Sequence, residues 1–248
     1  MFFRQPLCAC LLAGLALVAT PSLAQQPTGF TLGVGVGVGN DPYIGDDTEI
    51  SPVPLIRYQG ENFSVGFDGI TYQVLQRDAF TLSGIAAPRI FGLVFADADE
   101  LDGIDRDITV DLGISARYDS GFLFGGAKFL QEVTGEHDGQ ELTLELGTRI
   151  PLGPVPLSLS AGVDYQTESL SRYLWGVRGS EAIAGRDAYS PDGVLIPFVS
   201  ASAFYPVSSN VSLTLGARAQ FLPDEVTDSP IVDEDQVYTG FLGIGYRF

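Results

Sequence analysis

The sequence has 248 residues, and its 31 acidic against 13 basic residues give a formal charge of −18 at pH 7. So acidic a chain repels the phosphates of nucleic acid and has no basic cluster to offset this, which excludes nucleic acid as a partner. The two cysteines, Cys8 and Cys10, are close to the start of the chain. The apolar run before them is too short to favour a lipoprotein signal.

Residues 1–24 have the pattern of a secretory signal peptide. Arg4 is their only charge, an apolar stretch covers 7–18, and Ser22-Leu23-Ala24 supplies small residues for cleavage. The apolar stretch is shorter than the about 20 residues that span a bilayer. We therefore predict a signal peptide over 1–24 and a single mature domain over 25–248. Because the mature chain would lack cysteine, disulfides, thiol catalysis and thiolate metal sites are excluded.

Apolar residues alternate with polar residues or glycine through much of the mature chain. Clear examples are 108–118, 142–150, 155–166 and 211–221. Each run is close to the about 9–11 residues of a tilted transmembrane strand, although strands of a soluble sandwich alternate too. After residue 24 the chain has no apolar run of about 18 residues, so no membrane-spanning helix is predicted.

The lengths of the connections distinguish these two folds. Short turns rich in Gly, Asn, Asp, Ser and Pro alternate with longer connections. The short turns are Gly60-Glu61-Asn62, Arg77-Asp78, Asp119-Ser120, Gly153-Pro154 and Ser208-Ser209-Asn210, and the longer connections are 40–49, 93–107, 134–140, 168–192 and 223–235. In an antiparallel sheet this order places the longer connections at one end. Outer-membrane barrels have this layout, with short periplasmic turns and long external loops.

We therefore predict an all-β fold, a transmembrane antiparallel up-and-down β-barrel of about 12 strands, within a range of 10–14. The predicted strands are 29–39, 50–59, 62–67, 69–77, 79–91, 107–118, 121–132, 140–151, 155–167, 193–205, 210–221 and 236–248. Without the two irregular strands between 62 and 77, an even ten remains. An even number places both termini in the periplasm, with Phe248 ending the strand that pairs with the first. This C-terminal aromatic residue resembles the signal read by the outer-membrane assembly machinery.

Most acidic residues lie in the longer connections. The arginines that accompany them are Arg106, Arg172, Arg178 and Arg186. The favoured interpretation is a solvated rim of like charges. The alternative is divalent-cation binding that bridges to lipopolysaccharide phosphates. Residues 97–103 hint at a calcium loop, but Leu101 occupies a ligand position and Asp102 the glycine position of an EF-hand. We predict no metal site.

Two motifs are better explained by structure than by chemistry. The glycines at 33, 35, 37 and 39 occupy one face of a predicted strand and precede no helix, which argues against a dinucleotide loop. They leave room in the lumen for something bulky opposite, such as an arginine or an infolded loop.

His137, the only histidine, lies in an acidic loop, and the sequence has no Gly-x-Ser-x-Gly motif that would supply a nucleophile for it. We interpret it as a solvated turn residue, and predict no enzyme, no catalytic residues and no cofactor.

Charged residues of both signs lie at inward-facing strand positions. They are Arg57, Asp111, Arg117, Lys128, Glu141, Glu145, Arg149, Asp164, Arg218 and Arg247. Such charges can neutralise one another in a filled lumen, or they can line a pore. Barrels of about 8 strands fill with side chains and barrels of about 16–18 strands hold a channel, so a barrel of intermediate size is compatible with both.

The connection 168–192 has features of its own. Ser180 can cap a single helical turn that runs through Ala184 and ends at Gly185. This connection and other segments resemble the MltA-interacting protein (MipA)/OmpV family. The segments that carry the resemblance are Tyr43-Ile-Gly45, Pro52-Val-Pro54-Leu-Ile56, His137-Asp-Gly139, Tyr173, Gly176-Val177, Ala182, Gly185, Tyr189, Ser229-Pro230-Ile231-Val232 and Gly245-Tyr246-Arg247-Phe248. Asp138 departs from the His-Gly-Gly that the family often has there.

The resemblance covers essentially the whole mature chain. It implies a non-enzymatic outer-membrane barrel in contact with outer-membrane lipids and lipopolysaccharide, and it brings no catalytic residues. It further implies a scaffold that binds peptidoglycan-remodelling enzymes, a lytic transglycosylase and a murein synthase. The alternatives are a small cation-preferring channel and a surface adhesin.

Overall fold

The computed structural model describes residues 28–45, 48–90, 98–153 and 155–248. Parts of the sequence analysis fall outside these ranges. They are the predicted signal peptide, residue 91 of a predicted strand, residues 46–47 and 93–97 of two longer connections, which include Asp97 of the calcium-like segment, and Pro154 of one short turn.

Twelve antiparallel strands form a closed barrel in which sequence neighbours pair and the last strand closes on the first. The strands are β1 (Gly29–Gly39), β2 (Glu49–Gln59), β3 (Phe63–Gly66), β4 (Gly69–Arg77), β5 (Phe80–Arg89), β6 (Thr109–Asp119), β7 (Leu123–Glu132), β8 (Gln140–Leu152), β9 (Val155–Gln166), β10 (Val194–Pro206), β11 (Val211–Phe221) and β12 (Gln236–Arg247). The predicted fold is confirmed, and the two irregular strands between 62 and 77 are both present.

The alternation seen in the sequence becomes the two faces of the wall. The apolar residues of β1, from Phe30 to Val38, point outward and are 41–57% exposed, while the intervening glycines face the lumen. Outward apolar residues recur around the barrel, as in Leu146 and Leu242. An apolar outer face on a closed sheet suits lipid, because closure leaves no unpaired strand edge facing hydrocarbon.

The connections sort to two ends of the barrel. We call the end with the short turns the turn end, and the end with the longer connections the loop end. One connection lies at neither end. Since β3 has only four residues, the β3–β4 hairpin turns at Phe67 and Asp68 partway along the wall.

Segments from several long connections pack together at the loop end into what we call the loop cap. Its regular elements are α1 (Glu168–Trp175), α2 (Asp224–Thr227) and a 3-10 turn (Asp99–Leu101). Its buried core consists of Tyr43, Leu101, Leu170, Tyr173, Leu174, Trp175, Val177, Val194, Ile196, Val226, Ile231 and Val232. Val194 and Ile196 are lumen-facing residues of β10, so the loop cap packs into the mouth of the barrel. Within the described ranges, none of the helices is long and apolar enough to cross a membrane.

The predicted helical turn from Ser180 through Ala184 is wrong. The helix of this connection lies earlier, in α1, whose apolar side is buried in the loop cap. Ile183 and Arg186 instead exchange backbone hydrogen bonds of 3.0 and 3.1 Å in a tight turn, with Gly185 at a φ of +91°. Tertiary contacts decide the local structure here, because the side chains of Glu181 and Arg186 are buried in the loop cap.

Candidate functional site in the lumen and the loop cap

An aromatic ring from the adjacent strand covers Gly35 on the glycine face of β1. A Cβ at Gly35 would lie 2.4 Å from Cε2 of Phe241, and one at Gly243 would lie 2.5 Å from Cζ of the same ring. The pairing of Gly37 with Phe241 sets this position, and Phe241 is 7% exposed. At Gly35 the bulky group is therefore a ring from β12, next to β1, rather than an arginine or an infolded loop.

Two other lumen rings also lie over glycines. A Cβ at Gly147 would lie 2.3 Å from Cζ of Phe124, and one at Gly162 would lie 2.4 Å from Cζ of Phe198. The guanidinium of Arg218 lies 3.5 Å from the centre of the Phe198 ring. Such stacking stabilises an arginine away from bulk water. Aromatic rings and arginines thus occupy space inside the barrel together.

Arg89 ties three strands together inside the barrel. It donates to Asp111 on β6 at 2.8 Å and to Glu141 on β8 at 2.9 Å. Its side chain is 13% exposed, and that of Asp111 is 3% exposed. Desolvation of these charges is costly, and their mutual hydrogen bonds offset that cost.

The other lumen charges are paired in the same way. Arg218 pairs with Asp164, which also accepts a hydrogen bond of 2.8 Å from the hydroxyl of Thr143. Towards the turn end, Arg149 donates to both carboxylate oxygens of Asp119 at 2.6 Å. Opposite charges are therefore neutralised in neighbouring pairs along the wall.

The structure brings together most of the charges that the sequence placed inward. Lys128 approaches Glu141 at 4.0 Å, Arg117 approaches Asp119 at 3.6 Å, and Glu145 accepts a hydrogen bond from Ser160 at 2.6 Å. Two residues lie apart from this network. Arg57 pairs with Asp68 at 2.5 Å, and Arg247 donates to the carbonyl of Ser209 at 3.1 Å.

Sequence reasoning missed Arg89 and Asp119 as lumen charges. Arg89 lies two positions beyond Ala87 and four beyond Ile85 on the inward face of β5. Counting by twos from Ser83 would have found it. Small apolar residues on both faces hid the alternation in this part of the strand.

Two buried arginines connect the segments of the loop cap. Arg106 is 3% exposed, and donates to the carbonyls of Tyr173 and Gly176 at 2.7 and 3.1 Å and to the carboxylate of Glu181 at 2.6 Å. Arg186 is 4% exposed, and donates to the carbonyls of Glu100 and Glu181 at 2.6 and 2.7 Å. Most described loop acids are exposed, as a solvated rim requires, but Asp41 and Glu181 are buried. Burial opposes the charge of Glu181, yet the hydrogen bonds from Arg106 outweigh this and hold the pKa of Glu181 below its usual value.

His137 is half-buried rather than solvated. Its ring centre lies 4.6 Å from that of Tyr173 on α1, and its Nδ1 accepts a hydrogen bond of 3.0 Å from the N–H of Gly139. Burial lowers the pKa of His137 to about 4, so the ring is neutral at pH 7. Its Nε2 lies 3.5 Å from the hydroxyl of Thr109. These contacts give His137 a packing role between the 133–139 loop and the loop cap.

The carboxylate of Glu132 closes the same loop. It accepts backbone hydrogen bonds from Gly135 at 2.8 Å, from His137 at 3.2 Å and from Asp138 at 2.9 Å.

In the part of the chain that the structure describes, no three His, Asp, Glu or Cys residues converge to hold a metal ion.

Comparison with known proteins identifies the family. The model of the family described as MltA-interacting protein MipA matches residues 32–248. The chain belongs to the MipA family. The MltA-interacting protein of Escherichia coli K12 is 28% identical over 244 residues, which cover 96% of this chain and 98% of that protein. Outer membrane protein OmpV of Vibrio cholerae is 26% identical over 200 residues, covering 77% of this chain and 76% of that protein.

The alignment with a solved NanC porin structure covers 88% of this chain and 100% of that chain, with 6% sequence identity and a TM-score of 0.45. Three findings point to the same kind of protein. The chain belongs to the MipA family, its relatives are named outer-membrane proteins, and its fold is a closed twelve-stranded barrel. This MipA-family protein is an outer-membrane β-barrel.

Several of the residues that carry the MipA resemblance meet in the loop cap. The hydroxyl of Tyr43 donates to the carbonyl of Leu174 at 3.1 Å, and the Tyr43 ring stacks on Trp175 with ring centres 5.6 Å apart. The hydroxyl of Ser229 donates to the carbonyl of Trp175 at 2.6 Å. Ile231 is fully buried beside them. These motif residues from distant connections therefore build the core of the loop cap.

Proposed function

We propose that this protein is a non-enzymatic outer-membrane scaffold that binds a lytic transglycosylase and, together with it, a murein synthase. The observation that carries the proposal is similarity over nearly the full length to a protein named for its interaction with MltA. The paired lumen charges and the filled mouth of the barrel are consistent with a protein that works through its surface.

We further propose that the turn end faces the periplasm and the loop end the outside. In this orientation both ends of a mature chain over 25–248 lie on the periplasmic side, after removal of the signal peptide 1–24. The outer apolar face contacts lipid, and the acidic loops lie among lipopolysaccharide head groups. Cell-wall enzymes would then meet only the turn end.

The turn end offers a small surface. Its exposed residues include Glu61, Phe122 and Ser209, and Phe122 is 63% exposed. A stable interface buries about 1,600 Å² in total, which these turns do not readily supply. The partner is therefore expected to be confined at the inner leaflet, where a high effective concentration allows weak contacts to suffice. Exposed aromatic residues such as Phe122 are typical anchors of such contacts.

The test is a pull-down of a purified lytic transglycosylase with matched variants. Phe122→Ser removes an exposed apolar side chain at the turn end, and Ile183→Ser removes one that is 55% exposed at the loop end. We expect Phe122→Ser to weaken capture and Ile183→Ser to leave it unchanged. Asp119 is left in place because it holds Arg149. Absence of binding by the unmodified protein, or loss of binding only in Ile183→Ser, would overturn the scaffold proposal.

A small cation-preferring channel is the alternative function. The polar residues of β6 to β11 that face the lumen favour it, since a water-filled pore needs such a lining. Planar-bilayer recordings distinguish the two proposals. Steady cation-selective steps would support the channel, and absence of conductance in a protein that captures the transglycosylase would remove it.

A further inference from the structure

The 133–139 loop holds the start of α1 in place. A Cβ at Gly139 would lie 2.6 Å from the Cβ of Leu170 and 2.7 Å from its backbone nitrogen, so the loop packs closely against the helix. The backbone N–H of Gln140 donates to the hydroxyl of Thr167 at 2.9 Å, and its carbonyl accepts from the N–H of Thr167 at 3.0 Å. Thr167 is the N-cap residue of α1, so these contacts fix where the helix begins.

His137 holds the loop in the shape that these contacts need. Its Nδ1 accepts a hydrogen bond of 3.0 Å from the N–H of Gly139, and its ring packs on Tyr173 of α1. A neutral ring that accepts at Nδ1 carries its proton on Nε2, which lies 3.5 Å from the hydroxyl of Thr109 on β6. A proton on Nδ1 would set two N–H donors against each other. Protonation of His137 therefore breaks its bond to Gly139, next to the contact with α1.

The surroundings of His137 keep the ring neutral while the loop cap is closed. The charged residues around it are Arg89, Glu132, Glu136 and Asp138, with Arg106, Asp107 and Arg178 around the Tyr173 ring. Burial lowers the pKa of His137, the carboxylates of Glu132 and Asp138 oppose this, and Arg89 adds to it. A ring released into water would regain a pKa of about 6.5. Acid therefore favours a state in which the ring has left its site.

The far end of α1 is held by contacts that do not involve the 133–139 loop. The backbone carbonyls of 174–176 accept hydrogen bonds from the hydroxyls of Tyr43 and Ser229 and from the guanidinium of Arg106. These donors come from three other connections of the loop end. Loss of the contacts at Gly139 would therefore free the start of the helix while its end stays attached.

We propose that His137 is a pH-sensitive latch of the loop cap, whose protonation releases the start of α1 from the 133–139 loop and opens the mouth of the barrel on that side. The signal is the acidity of the medium at the loop end. Because histidine titrates close to neutrality, moderate acid is enough to act on such a latch. The latch goes beyond the scaffold function and does not depend on it.

Cysteine reporters test the latch in the full mature chain, which has no cysteine once the predicted signal peptide is removed. Ser171 on α1 is fully buried, and its hydroxyl makes no hydrogen bond within the described residues, so Ser171→Cys costs no such bond. Val226→Cys reports on a fully buried position of α2, and Ser180→Cys on an exposed position of the same connection as α1. Heat-modifiable migration in a gel shows that each variant is folded. Thr109→Cys, also at a fully buried position, replaces Ser171→Cys if that variant does not fold.

The rate of labelling by 4,4′-dithiodipyridine, which reacts with thiols in acid as well, is divided at each pH by the rate for Ser180→Cys. We expect this ratio for Ser171→Cys to rise at least about tenfold between pH 7.5 and pH 5, because the open state binds the additional proton. The ratio for Val226→Cys should change far less, since the end of α1 stays attached.

His137→Asn in the Ser171→Cys chain is the matched variant. An asparagine side chain accepts the N–H two residues on, as Nδ1 of His137 does, but it does not titrate. It should therefore abolish the rise in acid. A ratio for Ser171→Cys that stays constant, or that rises equally in His137→Asn, would overturn the latch. An equal rise for Val226→Cys would overturn it too, because the whole loop cap would then unfold rather than open at His137.

Discussion

Phe241 of β12 occupies the space that a side chain at Gly35 of β1 would need, since a Cβ there would lie 2.4 Å from the ring. The contact lies at the seam where the last strand closes on the first. Gly35→Ala is therefore expected to destabilise the closed barrel by about 1–3 kcal/mol, the usual cost of overpacking. Urea unfolding in detergent micelles measures this change.

Gly84→Ala is the matched control for that variant. Gly84 is also a strand glycine, but a Cβ there meets nothing within 4 Å. It should change the free energy of unfolding far less than Gly35→Ala. Adding Phe241→Leu to Gly35→Ala should recover part of the lost free energy of unfolding, because the smaller leucine side chain leaves space for the Cβ at position 35. Equal effects at the two glycines would contradict the packing described for Phe241.

Loss of Arg106 is expected to open the loop cap. Arg106→Ala leaves the buried carboxylate of Glu181 without its main partner and removes hydrogen bonds to three carbonyls. Breaking a buried pair in this way costs about 3–5 kcal/mol. Limited proteolysis should then cut the loops of the cap faster while the barrel stays folded. Arg172→Ala is the control, because Arg172 and Glu168 are 48% and 52% exposed and such pairs contribute about 0.3–0.5 kcal/mol. Similar cleavage rates for the two variants would count against the role of Arg106.

The loop cap should lose stability in acid through His137. Its pKa is lowered from 6.5 to about 4 in the folded protein, so the unfolded cap binds the proton more readily between these values. The contribution of neutral His137 is complete above pH 6.5 and is lost as the pH falls towards 4. Protease resistance of the loops, measured from pH 7.5 to 4, is expected to decline across this range.

His137→Gln should flatten that decline, because glutamine keeps an acceptor for the Gly139 N–H but does not titrate. Glu181 remains as a second acid-sensitive group. Its pKa lies below the ordinary 4.5, so its contribution is present above pH 4.5 and is lost as the pH falls through the folded pKa. The variant should therefore still lose resistance at the acid end of the range. An unchanged decline in His137→Gln would exclude His137 as the cause.

Arg89→Met should destabilise the barrel more than any change at an exposed arginine. It leaves two carboxylates, Asp111 and Glu141, without the cation that neutralises both, at an expected cost of about 3–5 kcal/mol. Arg57→Met is the control, since the Arg57 and Asp68 side chains are 38% and 34% exposed and their pair is expected to contribute less than about 1 kcal/mol. Glu141→Gln should recover part of the loss in Arg89→Met. Urea unfolding of the four proteins checks the series.

Much of the barrel could be predicted from the sequence because its pattern is local. A strand in lipid exposes every second side chain to hydrocarbon, so the alternation from Ile108 to Tyr118 predicts both β6 and its two faces. The connection lengths then predict which strands pair, because two strands joined by a short turn must lie side by side and antiparallel. These properties depend on residues close in sequence, and the predicted strands match the observed ones throughout the described residues.

The packing inside the barrel and the loop cap depends on residues that are far apart in sequence. Phe241 lies over Gly35 because of the register of β12 on β1, which no local pattern reveals. The connection 168–192 was predicted to form its helical turn at Ser180, but burial of Leu170 and Tyr173 places the helix at α1.

Composition, alternation and turn spacing thus determined the fold class, the outward face and the acidic loops of this protein. Tertiary structure alone decided which lumen charges pair and how Arg106 and Arg186 hold the loops together. The physical reason is that alternation is set by the pleat of a single strand. Pairing, by contrast, depends on strand register and on burial, and both arise only when the barrel closes.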